Sequence, residues 1–233
     1  MTQLPILFLP GTLCTSAMFK HQIEQLKQYS DHVCVVQFTT EPTLAKMAEK
    51  VILAAQDSPC ALVGFSMGGI VALEVAKTRP DLIAKLAMVN SNCHADLPER
   101  KVPRQQHIAQ AKSGNLKGLM LSTFLPNYLF KSDQQHEAII IEMAMALGAD
   151  CFAAQAMALE DRPDSLSTLQ QLAIKTLIIG GAQDKVCPAS HQKMMHQAVT
   201  NSQLALLDCC GHFSPLEQPT QVSKLLTQWY LAD

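Results

Sequence analysis

The 233-residue sequence predicts an α/β fold: a doubly wound, mainly parallel sheet of about six strands with a helical cap insertion. Three observations carry this expectation. Short apolar runs of strand length alternate with longer amphipathic stretches, and strand–helix–strand repetition builds a parallel sheet through right-handed crossovers. The runs are apolar almost without interruption, as strands buried on both faces are. The alternation breaks once, after "VNSN" (89–92), where roughly 80 residues hold no convincing strand.

In chain order, "PILFL" (5–9) reads as the first strand and 16–29 as a helix. "VCVVQF" (33–38) and the helix 43–57 follow, then "CALVGF" (60–65) and the helix 67–78. "KLAMVN" (85–90) is the fourth strand. Residues 96–160 read as helices separated by "KSGN" and "LPN", with two stretches near 134–147 and 151–160. A structureless loop of that length is improbable in a compact domain, so an insertion of helices is expected. Ligands bind at the carboxyl ends of parallel strands, which makes such an insertion a cap over the site. "TLIIG" (176–180), the helix 188–199, "QLALLD" (203–208) and the helix 218–231 complete the chain. The expected division is a core of 1–92 and 163–233 with a cap of 93–162.

Composition narrows the function. Hydrophobic residues make up 48% and charged residues 16%, a profile that folds rather than stays disordered. A net charge of −2 gives no global attraction to nucleic acid or an anionic membrane. The short basic group of Arg100, Lys101 and Arg104 reads as a solvated loop or helix face. "MTQLPILFLPG" lacks the basic start and apolar length of a signal peptide, and no run is long enough to span a membrane. A cytoplasmic protein, monomer or homodimer, acting on a small molecule is the expectation. Eight cysteines are scattered without a C-x-x-C pair or zinc spacing, so most read as small buried hydrophobes. No metal and no cofactor is called for.

"GFSMG" (64–68) fits G-x-S-x-G where a buried strand turns into a helix. At this composition chance yields roughly 0.025 such matches. A residue on so sharp a corner has strained backbone, and Gly64 and Gly68 remove side chains that crowd it. A serine hydroxyl needs a base, and the base needs an orienting acid. Of eight histidines, only His212 closely follows a buried strand, in "LLDCCGHFSPLEQP"; His191 and His196 lie on an amphipathic helix. Asp184 stands four residues past Gly180 in "TLIIGGAQDKVCP", with Asp208 as the nearest rival. The order Ser66, Asp184, His212 then sets the catalytic candidates. Fixed N–H donors must also meet the negative charge of acyl transfer. Met67, after the serine, and Thr12, in "LPGTLC" (9–14), are the expected oxyanion donors, with Leu13 as alternative to Thr12.

These segments, with "RPDLIAKLAMVNS" (79–91), "RPDSLSTLQQLAIKTLIIGGAQDKVCP" (162–188) and "CGHFSPLEQP" (210–219), resemble the α/β-hydrolase fold superfamily. The likeness is to its small capped esterases and enol-lactonases and extends over nearly the whole chain. It implies Ser66 as nucleophile, Asp184 as acid, His212 as base, and Thr12 and Met67 as oxyanion donors. Pro10-Gly11 stands where members often have His-Gly, and "FTTEPTLAKMAEK" (38–50) replaces a glycine-rich loop. With a first strand starting almost at Met1, the hairpin of larger members is not expected, which leaves about six core strands.

The reaction expected is hydrolysis of a carboxylic ester, lactone or thioester of a small, partly apolar substrate through an acyl-enzyme on Ser66. C–C hydrolysis, acyl transfer, a lyase reaction and low-turnover ligand sensing stay open on the same triad. Leu13, His94 and Phe213 are the expected substrate contacts. Arg162 either binds a substrate carboxylate or, the stronger reading, anchors the insertion's return to the core.

Overall fold

The computed structural model describes residues 3–160 and 162–232. The chain opens with β1 (Ile6–Leu9), a 3-10 turn (Ser16–Phe19) and α1 (Lys20–Leu26). It continues through β2 (Val33–Val35), α2 (Leu44–Ala55), β3 (Cys60–Phe65), α3 (Met67–Thr78) and β4 (Ile83–Val89). The insertion then runs through α4 (Lys101–Gln110), α5 (Leu116–Leu119) and α6 (Gln134–Leu159), and α7 (Leu166–Gln171) follows it. β5 (Lys175–Gly181), α8 (Ala189–Ala198), β6 (Ser202–Leu207), α9 (Ser214–Glu217) and α10 (Pro219–Leu231) finish it.

The six strands form one sheet in the order β2-β1-β3-β4-β5-β6, and every pair is parallel. The chain steps outward from β1 to β2 and then crosses back to β3. That reversal leaves a crevice between the carboxyl ends of β1 and β3, the place where such sheets take ligands. In register, Leu9 lies beside Gly64, Phe65 beside Val89, and Val89 beside Ile179. The loops after four strands therefore leave the sheet at one level. The expected third strand matches β3 residue for residue, whereas β2 stops at Val35, three residues early, as an edge strand paired on one side only.

Strand side chains alternate between two faces, and the core divides accordingly. Ile6, Phe8, Val63 and Ile179 pack with Phe19 and Trp229 on one face. Leu7, Leu9, Leu62 and Ile178 pack with Met47 and Val71 on the other. Each large side chain removed from water in this way contributes about 1.5–3 kcal/mol before entropy is counted. Insertion residues Leu119, Met120, Ala144 and Phe152 belong to the first cluster, so the insertion is packed onto the sheet assembly rather than tethered to it.

The insertion breaks where glycine permits it. Gly148 sits at φ 80, ψ 178 inside α6, splitting that element between the two helical stretches read from the sequence. Gly114, in "KSGN", sits at φ 91. Six of the eight cysteines are buried and all are free thiols. No described helix is long and apolar enough to cross a membrane. The outermost expected core bounds, residues 1 and 233, lie outside the described residues.

Candidate active site

Ser66 occupies the corner between β3 and α3 with φ 50 and ψ −115, a conformation rare for any residue but glycine. Close packing forces it. A Cβ on Gly68 would lie 1.9 Å from the Leu9 carbonyl oxygen, and one on Gly64 would lie 2.5 Å from Gly69 Cα. Only glycines at both positions let strand and helix approach so closely. Ser66 N donates to Val89 O (3.0 Å), and Ser91 Oγ donates to Ser66 O (2.7 Å). The Ser66 side chain does not cap α3, as an ordinary helix-start serine does. Its hydroxyl lies 3.0 Å from His212 Nε2 instead.

His212 Nδ1 lies 2.8 Å from Asp184 Oδ2. An ionised carboxylate only accepts, so Nδ1 carries the proton and Nε2 accepts from the Ser66 hydroxyl. Asp184 is almost fully enclosed and receives four hydrogen bonds. Oδ2 takes His212 Nδ1 and Asn90 Nδ2 (2.9 Å); Oδ1 takes the N–H groups of Val186 (2.8 Å) and Cys187 (2.9 Å). Burial pushes its carboxyl up, but the charge and hydrogen bond of His212, with the other donors, outweigh it and leave the pKa below the ordinary value. Asp184 is thus also the turn-forming carboxylate that its loop position suggests. Asp208 is exposed, and its carbonyl accepts from Gln218 Nε2.

The loop carrying His212 is held from both sides. Glu217, on α9, accepts from the N–H groups of Gly211, Phe213 (3.1 Å) and Phe130 (2.8 Å). His212 N donates to Tyr128 O (2.6 Å), and the imidazole packs against Phe65, with ring centroids 5.1 Å apart.

Ser66 and His212 open onto a cavity of about 450 Å³ between the strand ends and the insertion. Thr12, Met67, Leu13 and Phe213 also line it. Thr12 Oγ1 lies 3.7 Å from Met67 Sδ, which brings the two expected donor residues side by side. Leu13, at φ 55, gives its N–H to Gln155 Oε1 (2.8 Å). Cys187 lines the cavity as well, but burial and the charge of Asp184 push its thiol up to about 12, so it stays protonated. Among the described residues, no cluster of three or more His, Cys, Asp or Glu is placed to hold a metal ion.

Two expectations change here. His94 does not line the cavity; its ring packs edge-on against His191 at 4.5 Å, and Nδ1 lies 3.8 Å from Asp164. The residue opens the insertion, but its backbone turns the ring outward: His94 N is tied to Asn92 Oδ1, and His94 O to Arg162 Nε. Arg104 is not on a solvated face, since only 14% of its side chain is exposed and it lines the cavity. Arg162 hydrogen-bonds His94 O (3.1 Å), Asp96 Oδ1 (3.0 Å) and Leu159 O (3.3 Å), which ties the two ends of the insertion together.

Sequence reasoning missed three supporting residues. Asn90, at φ 45, donates to Asp184 and to Gly211 O (3.1 Å) and accepts from Ser214 Oγ (2.5 Å). Gln155 is fully buried and bridges Leu13 N to Phe38 O (2.9 Å). Glu217 holds the histidine loop. Gln155 had a readable signal: it is the one polar residue in "CFAAQAMAL" (151–159), and a buried polar group needs a partner.

A family model described as alpha/beta hydrolase fold matches residues 27–219. The hydrolase YugF of Bacillus subtilis is 25% identical over 194 residues, 79% of this chain and 70% of that protein. A thermophilic esterase from Thermogutta terrifontis superposes with a TM-score of 0.88 at 25% identity, covering 98% of this chain and 89% of its own. The enol-lactonase from Burkholderia xenovorans shares the fold with a TM-score of 0.85 at 18% identity, covering 99% and 92%.

Proposed function

From the premise that the chain belongs to the α/β-hydrolase fold family, we propose that it hydrolyses a carboxylic ester of a small, partly apolar substrate through an acyl-enzyme on Ser66. One observation carries the reading: an unbroken hydrogen-bonded line from the Ser66 hydroxyl through His212 to a buried, ionised Asp184, opening on a cavity. The esterase from Thermogutta terrifontis, alike in fold over nearly the full chain, supports it.

In the proposed cycle His212 Nε2 takes the Ser66 proton as Oγ attacks the ester carbonyl. The N–H groups of Thr12 and Met67 receive the oxyanion. Leu13 is the weaker donor, because its N–H is already given to Gln155. Protonated His212 then hands its proton to the leaving alcohol, and the acyl group stays on Ser66. Water, deprotonated by the same nitrogen, releases the acid and restores the serine. Asp184 fixes the tautomer throughout and stabilises the imidazolium. Residues 93–162 act as the cap over this chemistry, on a core of 1–92 and 163–233. Met120, Phe124 and Phe152 give the cavity an apolar side suited to an acyl or alcohol chain.

The test is hydrolysis of para-nitrophenyl esters of increasing acyl length by the wild type and by Ser66→Ala. Turnover with the wild type and its loss by at least about a thousandfold in Ser66→Ala are expected. Equal rates from both proteins contradict the proposal.

A further inference from the structure

We infer that the ester this site takes carries a carboxylate, held by a basic wall of Arg100, Arg104 and Arg162. The inference rests on the serine-hydrolase reading of the same cavity.

The wall is built on a helix that turns polar as well as apolar side chains inward: Ile108 of α4 packs against the core, and basic residues beside it line the cavity. An amphipathic helix ordinarily puts its apolar stripe toward the protein. On α4 no residue is fully buried, and Val102 points outward with 65% exposure. Arg100, Pro103, Arg104 and His107, spaced as i, i+3, i+4 and i+7, line the cavity instead. These positions share one helical face. Arg162 and Lys185 complete the wall from the insertion's end and the loop after β5.

The charges do not cancel. Among the described lining residues Glu99 is the one carboxylate. Behind them, Asp96 serves two arginines: both its oxygens accept from Arg104 Nη2 (2.8 and 2.9 Å), and Oδ1 also accepts from Arg162 Nη1. Among the described residues, four cations of the wall thus face two carboxylates. Arg104 Nε is buried with no hydrogen-bond partner among the described residues, and leaving such a donor unpaired is costly. Burial, reinforced by Arg104 and Arg100, lowers the Arg162 pKa despite Asp96. An anion in the cavity relieves the repulsion among these cations. The planar fork of arginine matches a carboxylate's two oxygens. With the apolar side chains of Phe124 and Phe152 lining the same cavity as Ser66, the wall suits an acid whose carboxylate and ester are separated by a short chain.

The experiment has a binding arm and a turnover arm, both on the intact protein. In calorimetry the wild type should bind glutarate at least about tenfold more tightly than neutral glutaramide, and Arg100→Gln should lose about tenfold of that affinity. Arg100 is exposed and has no ion pair among the described residues, so its replacement leaves packing alone. Arg104→Gln should lose more. In turnover, kcat/KM for para-nitrophenyl hemiglutarate should exceed that for para-nitrophenyl valerate by about tenfold, and added salt or Arg100→Gln should shrink the ratio. Equal binding of glutarate and glutaramide, tighter binding of inorganic phosphate than of glutarate, or a ratio of one or less with valerate still hydrolysed overturns the carboxylate and leaves the hydrolase standing. Failure of the hydrolase reading looks different: neither ester turns over, and the inference falls with it.

Discussion

Asp184→Asn changes one atom and isolates what the carboxylate does. Each Asp184 oxygen accepts two donors. Asparagine offers one accepting oxygen and one donating nitrogen. The donors on the Oδ1 side are backbone N–H groups of Val186 and Cys187 and cannot turn away. Asn90 is equally fixed, donating to Gly211 O while accepting from Ser214. Two fixed donors on the Oδ1 side outnumber the one on the Oδ2 side, so the amide oxygen keeps the Oδ1 position and the NH₂ group faces His212 and Asn90. His212 answers by moving its proton to Nε2, which then points a hydrogen at the Ser66 hydroxyl and has no lone pair for its proton. A wrong tautomer in otherwise intact geometry lowers kcat by about 10⁴ in a related arrangement, about 5 kcal/mol of transition-state stabilisation. The assay is kcat and KM for a chromogenic ester beside wild type, with near-ultraviolet circular dichroism to verify folding. KM should change little. A folded Asp184→Asn protein within about tenfold of wild-type kcat refutes the tautomer argument and the role given to Asp184.

The same carboxylate sets a pH window for stability. Its folded pKa is lowered, so its contribution is complete above the unfolded value of about 3.9 and is lost as pH falls through the folded value. Urea unfolding of the wild type should weaken more steeply below about pH 4 than that of Asp184→Asn; parallel curves argue against it. Gly68→Ala places a Cβ against the Leu9 carbonyl and should cost about 3 kcal/mol or more, or prevent folding, whereas a protein within about 1 kcal/mol of wild type contradicts the packing described for the corner. Gln155→Leu leaves the Leu13 N–H buried without its partner, while Phe38 C=O keeps Gln37 Nε2 and Cys151 Sγ, and should lower stability by about 1–3 kcal/mol. It should also reduce kcat by loosening the loop that carries Thr12; unchanged kcat and melting temperature refute that coupling.

The sheet was legible because buried parallel strands leave long apolar runs with helices between them, as at 60–65 and 176–180. Ser66, Asp184 and His212 could be read because each follows a strand at a turn, and strand ends in this topology converge. The supports were harder. Asn90 acts through contacts between segments far apart in sequence, which no local pattern encodes, and Glu217, though only four to six residues from the N–H groups it holds in the histidine loop, also reaches Phe130 across the fold. The basic face of α4 misled for a physical reason: polarity is read as contact with bulk water, and a polar cavity produces the same pattern from the inside. His94 shows the converse limit, since its place at the start of the insertion is readable but the direction of its ring is set by backbone hydrogen bonds to Asn92 and Arg162.

The most direct test of the central claim is intact-mass analysis after reaction with a serine-directed phosphonate, followed by peptide mapping. The account predicts one adduct per chain, on Ser66, formed rapidly by the wild type, slowly by His212→Ala and not at all by Ser66→Ala. An adduct at another residue, or labelling of the wild type no faster than of His212→Ala, contradicts it.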